Sequence, residues 1–179
     1  MRTRPDWESY FMTLAAVAAT RSTCLRRQVG AVIVRDGQII STGYNGSPKG
    51  TPHCLETGCL RSVLNIPSGE RQEMCRGSHA EMNAISQAAS VGVSTAGAVL
   101  YCTHSPCAFC SKAIINAGIR RVVYLYSYPD ELAERLRSEA GLISEQFPAE
   151  KLVCIHGCLD LARESVGKMN ERKDGCPCC

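Results

Sequence analysis

A chain of 179 residues, 45% hydrophobic and 21% charged, is long enough for one domain that buries roughly 70% of its unfolded surface, and its composition excludes a disordered or fibrous protein. Twenty Lys and Arg against seventeen Asp and Glu leave a formal charge of +3, which suits an anionic small molecule and argues against the basic stripe of a nucleic-acid binder. No run approaches a membrane span, and Met1 to Asp6 lacks the apolar core of a signal peptide, so a cytoplasmic protein without membrane contact is expected, its twelve cysteines reduced.

Asp6 is positioned to cap a first amphipathic helix carrying Trp7, Tyr10, Phe11, Leu14, Ala15, Val17 and Ala18, which ends near Arg21-Ser22. Val29 to Val34 and Gln38 to Thr42 flank Asp36-Gly37, the strongest short signal for a β-hairpin. Residues 43–78 are rich in turn residues around a short apolar patch, Leu60 to Leu64; so long a connection inside a compact domain is normally functional and needs something to order it. A regular alternation follows: a helix over His79 to Ala89, a strand over Ala98 to Thr103, a helix over Cys107 to Ala117 and a strand over Arg121 to Tyr126. A helix near Asp130 to Ala140, a strand near Lys151 to Ile155 and a last helix near Leu159 to Met169 complete an α/β sheet covered by helices on both faces. The expected organisation is a single domain over 1–171 with a cysteine-rich tail, 172–179.

Within that alternation, His79-Ala80-Glu81 is followed, 26 residues after Glu81, by Cys107 in the run Pro106-Cys107-Ala108-Phe109-Cys110. Catalytic zinc keeps three protein ligands and leaves a fourth position open, so His79, Cys107 and Cys110 are the expected ligands and Glu81 the proton carrier. Both halves fall where a helix begins, with Ser78 read as the cap of the first and Ser105-Pro106 as N-cap and N1 of the second. Two positive helix ends then favour thiolate over thiol. A purely structural zinc would close with a fourth Cys or His instead. The pattern is the H-x-E…P-C-x-x-C signature of zinc-dependent nucleobase deaminases.

From Trp7 to Tyr128 the chain resembles the deoxycytidylate (dCMP) deaminases of the cytidine deaminase-like superfamily. Beyond the metal motif, the resemblance is carried by Arg21-Ser22-Thr23-Cys24, Val29-Gly30-Ala31, Gly43-Tyr44-Asn45-Gly46, Pro52-His53-Cys54, Gly58-Cys59, His79 to Ile85 and Ile115 to Ile119, in order. It implies a three-layer α/β/α fold with a central mixed five-stranded sheet, and hydrolysis of dCMP to dUMP and ammonia for thymidylate synthesis. It also implies that Asn45 holds the sugar 3′-hydroxyl and that Ala80 N–H and Ser105 C=O read the pyrimidine edge. Arg26, ahead of the first strand, suits the 5′-phosphate, since a guanidinium binds phosphate in two-pronged fashion. Members of the family are commonly homohexamers activated by dCTP and inhibited by dTTP, with Mg2+ assisting the triphosphate. Gly43, Tyr44, Asn45 and Gly46 lie in the segment linked to that control.

Cys24, Cys54, Cys59 and Cys75 surround the 43–78 insertion, and four thiols suffice for a closed structural Zn2+ that would order it. Some family members use cysteines at the positions of Cys24 and Cys54 in this way, and His53 is a substitute for one thiol. Cys154, His156, Cys158, Cys176, Cys178 and Cys179 contain enough ligands for another site, although an exposed tail is the simpler reading. Tyr126 and Tyr128 are placed to stack on a base or to pack. Deamination of dCTP, CMP, deoxycytidine, guanine or a tRNA adenosine, and a catalytically idle zinc scaffold, are the competing functions.

Overall fold

The computed structural model describes residues 4–153. Its centre is a five-stranded sheet in the order β2-β1-β3-β4-β5, formed by β1 (Gly30–Arg35), β2 (Gln38–Tyr44), β3 (Val99–His104), β4 (Arg121–Tyr126) and β5 (Ile143–Gln146). β1 runs antiparallel to both β2 and β3, whereas β3, β4 and β5 are mutually parallel. The sheet is therefore mixed. The hairpin turn falls where Asp36 and Gly37 both take positive φ, and a bulge between Ile33 and Val34 shifts its register.

Strand alternation divides the core into two layers. Ala31 and Ile33 of β1, Leu100 and Cys102 of β3 and Val122 of β4 face helices α4 (Ala80–Ser90) and α5 (Ala108–Asn116). Val32, Val34, Tyr101, Val123 and Leu125 point the other way, onto Phe11, Met12 and Ala15 of α1 (Trp7–Ala19). Helices thus cover both faces. Asp6 caps α1 as its sequence suggests, its Oδ1 accepting from Ser9 N–H at 2.7 Å. Helix α6 (Glu131–Glu139) packs beside α5, begun by Asp130 in the same way. Among the described residues, no helix is long and apolar enough to cross a membrane.

The expected strand at Lys151 to Ile155 is not where the fifth strand lies. Lys151 belongs to a short 3-10 turn, Ala149–Lys151, and β5 is the Ile143–Gln146 segment. That segment was hidden because it is a sheet edge exposed over most of its length, so Ile-Ser-Glu-Gln shows no apolar pattern. The predicted helix over Leu159 to Met169 and the cysteine-rich tail lie outside the described residues. In the insertion, Cys54–Thr57 (α2) and Leu60–Val63 (α3) form two single-turn helices that leave Leu55, Leu60 and Val63 exposed.

Candidate active site

Helices α4 and α5 begin side by side at one end of the sheet, and their caps are not the predicted serines. His79 is the N-cap of α4 and Cys107 that of α5; both are extended, and neither side chain makes a capping hydrogen bond. The serines serve other contacts. Ser78 exchanges both backbone hydrogen bonds with Gly46, at 2.9 and 3.1 Å, and Ser105 Oγ accepts from Tyr128 N–H at 2.7 Å. With capping left undone, the imidazole and thiol are free to face each other. Cys110, at N3 of the same turn as Cys107, joins them.

His79 Nδ1 lies 3.3 Å from Cys110 Sγ and 3.5 Å from Cys107 Sγ. Zn–N near 2.0–2.1 Å and Zn–S near 2.3 Å at a tetrahedral angle place N and S about 3.6 Å apart, so the three atoms fit one such ion. Among the described residues, no other three such groups bring their donor atoms all within 4.8 Å. The hydrogen bond from Cys110, with help from His79, pulls the Cys107 thiol down to about 4. Cys110 is pushed the opposite way by that same contact and by burial. Cys107 is thus held as a thiolate, the form in which a thiol binds a metal.

Glu81, at N2 of α4, is 4% exposed; burial raises its carboxyl, opposed by the charge of His79. The start of α5 is braced from α6. Arg137 Nη1 donates to Pro106 O at 2.7 Å and Ser111 Oγ at 3.0 Å, and Asp130 Oδ2 accepts from Ala108 N–H at 2.8 Å. Sequence reasoning missed both braces. An aspartate ahead of a helix reads only as that helix's own cap, and a mid-helix arginine reads as a surface charge.

His79, Cys107 and Glu81 line a pocket whose walls also carry the other expected residues, Asn45, Ala80, Ser105 and Arg26. Asn45 Oδ1 accepts from Ser22 Oγ at 2.7 Å and Val29 N–H at 2.8 Å, while Nδ2 donates to Arg27 O at 2.8 Å. One amide N–H remains. Arg26 Nη1 is buried without a partner among the described residues. Arg27 and Arg61 share the pocket and were not anticipated. Tyr128 also lines it, with the Arg27 guanidinium 5.3 Å from its ring centre, whereas Tyr126 sits beside His104.

Cys24, Cys54, Cys59 and Cys75 all line the same pocket, but no three of their sulfurs lie mutually within 4.8 Å. The structure gathers the four thiols without closing them into a ligand set. In the Gly43 to Gly46 segment, Gly43 is where β2 meets α4: a Cβ there would lie 2.2 Å from Ala80 O and 2.5 Å from Ala84 N. Tyr44 O is tied to the same helix by Asn83 Nδ2 at 2.7 Å.

A mixed sheet layered between helices, with a His/Cys/Cys cluster and a buried carboxyl where two helices start, defines an α/β/α metal-site protein. Residues 5–126 match the cytidine and deoxycytidylate deaminase zinc-binding region, and the chain belongs to that family. It is 43% identical over 147 residues to a deoxycytidylate deaminase of Schizosaccharomyces pombe, covering 82% of this chain but only 45% of the yeast protein. It is also 43% identical to ComE operon protein 2 of Bacillus subtilis, over 84% of this chain and 76% of that one. The dCMP deaminase of cyanophage S-TIM5, solved with dCMP and dUMP, superposes with a TM-score of 0.66 at 30% identity, covering 82% of this chain and all of the phage one.

Proposed function

We propose that this chain hydrolyses dCMP to dUMP and ammonia, with Zn2+ held by His79, Cys107 and Cys110. The observation that carries the reading is that the buried Glu81 carboxyl, His79 and Cys107 of the three-ligand cluster, and Arg26 with its partnerless guanidinium nitrogen all line one pocket. The zinc supplies Lewis-acid activation of water. Glu81 takes one proton of the attacking water and delivers it to ring nitrogen N3 as oxygen adds to C4; it then takes the remaining proton of the new C4 hydroxyl and passes it to the amino group as the C4–N bond breaks and the C4 carbonyl forms. Ala80 N–H, at the first turn of α4, and Ser105 C=O hold the pyrimidine edge. The free N–H of Asn45 meets the 3′-hydroxyl, and Arg26 meets the 5′-phosphate.

The finer readings follow from the family. The product feeds thymidylate synthesis in the cytoplasm, with dCTP activating and dTTP inhibiting through the Gly43 to Gly46 segment, and Mg2+ accompanying the triphosphate. Exposed Leu55, Leu60 and Val63 support assembly into a homohexamer. Convergence of Cys24, Cys54, Cys59 and Cys75 supports a second, structural Zn2+; a metal count of one zinc per chain, in protein purified without chelator, would sink it.

The deciding experiment measures ammonia release from dCMP, dCTP, CMP, deoxycytidine and guanine, with and without added dCTP. Turnover of dCMP well above the others, raised by dCTP, is expected. Release from another substrate in its place would reassign the specificity, and release from none would make the chain a scaffold.

A further inference from the structure

The insertion reaches the metal ligands through one side chain. Gln72 opens a 3-10 turn, Gln72–Met74, and its Oε1 accepts from Cys107 Sγ at 3.8 Å; the other end of the amide, Nε2, donates weakly to Gly69 O at 3.3 Å. Gln72 lines both the substrate pocket and the surface groove beside it, so it stands at the pocket's mouth.

The backbone is bent to put it there. Arg71, immediately before, takes φ 45° and ψ 51°, a left-handed conformation disfavoured for a residue with a Cβ. Gly69 takes φ +90°, and a Cβ at that position would lie 2.7 Å from Tyr128 Oη. The 69–72 segment is therefore pressed against the walls of the pocket, and a disfavoured arginine conformation is held in place to keep Gln72 over Cys107.

We propose that Gln72 is a positioning residue for the metal centre: its side-chain amide hydrogen-bonds the Cys107 sulfur and so couples the order of the insertion to retention of the metal. The inference rests on the metal-holding role given above to His79, Cys107 and Cys110. The amide as placed turns Oε1 toward Sγ, an orientation that suits only a protonated Cys107. A metal-bound thiolate has no proton to give and takes an N–H instead, which a half-turn of the terminal amide supplies at the expense of the weak Gly69 contact. Oxygen and nitrogen of an amide exchange places in this way without moving the rest of the side chain. Such an N–H···S contact fixes the ligand's orientation and offsets part of its charge, the role that outer partners play at metal sites generally.

The test uses full-length protein loaded with Co2+ in place of zinc, following the thiolate-to-cobalt absorption band and the competition of a chelator for the metal. Gln72→Leu should lower metal affinity about 10-fold and shift the band. Gln72→Glu keeps the shape of glutamine; facing a carboxylate to the thiolate, it should lose metal more readily than Gln72→Leu. Gln72→His, which keeps a donor, should restore much of the affinity. A packing contact alone would leave the band where it is. Wild-type band and affinity in both Gln72→Leu and Gln72→Glu overturn the proposal. Failure of the wild-type protein to take up Co2+ would overturn the metal reading itself.

Discussion

Replacing Gly43 by Ala tests whether the glycine is required by packing or by regulation. The added Cβ would lie 2.2 Å from Ala80 O, 2.5 Å from Ala84 N and 3.0 Å from Ala84 Cβ, two of the three being backbone that no rotamer change can move. Ordinary contact begins near 3.4 Å, so the first turn of α4 must retreat about 1.2 Å from β2. Overpacking of that kind costs about 1–3 kcal/mol. Its larger effect is on function, because Ala80 stands between His79 and Glu81 and the whole turn moves with it. A displacement of about 1 Å at reacting groups costs on the order of 100-fold in rate. The assays are kcat for ammonia release from dCMP and the urea midpoint of unfolding. Gly37→Ala is the control: Gly37, unlike Gly43, has a positive φ, but no atom lies within 4 Å of its Cβ position, so it should cost about 1–2 kcal/mol of stability and leave kcat intact. A Gly43→Ala protein with normal stability and kcat, but an altered dCTP response, would refute the packing argument and return Gly43 to the regulatory segment.

Glu81→Gln should retain a full complement of zinc while ammonia release falls about 100- to 10,000-fold, the span of a lost general acid–base group; metal analysis beside the rate assay checks both. Arg26→Ala should lower kcat/KM for dCMP about 10- to 100-fold, the equivalent of one charge-assisted hydrogen bond, and leave the slow turnover of deoxycytidine unchanged. An equal loss on both substrates would move the phosphate contact away from Arg26.

The chemistry of the site was legible because its residue types are rare together: one imidazole, one carboxyl and two thiols at ligand spacing leave few alternatives. The buried strands were legible for a related reason, since Val-Ile-Val in β1 and Val-Val in β4 are apolar on both faces of a sheet covered twice. What the sequence concealed was where polar groups are spent. Ser78 and Ser105 have the chemistry of caps, yet the Ser78 backbone pairs with Gly46 and the Ser105 hydroxyl with Tyr128, and the cap positions fall to His79 and Cys107. Arg27, Arg61 and Gln72 were invisible because nothing local distinguishes an arginine or glutamine beside a pocket from one in water. The polar edge strand β5 was lost for lack of any apolar face.

Arg137 carries this furthest, since its burial looks like a cost without a return. The side chain is 6% exposed, and its Nε is buried without a partner among the described residues, so the guanidinium loses hydration that its hydrogen bonds only partly replace. What it holds is Pro106 O, immediately ahead of Cys107, and Ser111 Oγ one turn into α5, clamping both ends of the Cys107-Ala108-Phe109-Cys110 turn. Arg137→Met keeps most of the volume and removes the buried charge. It also leaves Pro106 O only the Ser111 hydroxyl, at 3.5 Å. Two charge-assisted bonds of about 1.5–3 kcal/mol each, set against the relieved desolvation, leave a net loss of about 1–3 kcal/mol. Because the clamped turn carries Cys107 and Cys110, two of the three residues proposed to hold zinc, the variant should also release zinc to a chelator faster than wild type. Both bonds leave from one nitrogen, Nη1, so Arg137→Lys, whose ammonium is a single point donor with three protons, should recover part of the loss. A urea midpoint and a zinc-release rate both unchanged in Arg137→Met would show that α5 is set by Asp130 and the sheet alone.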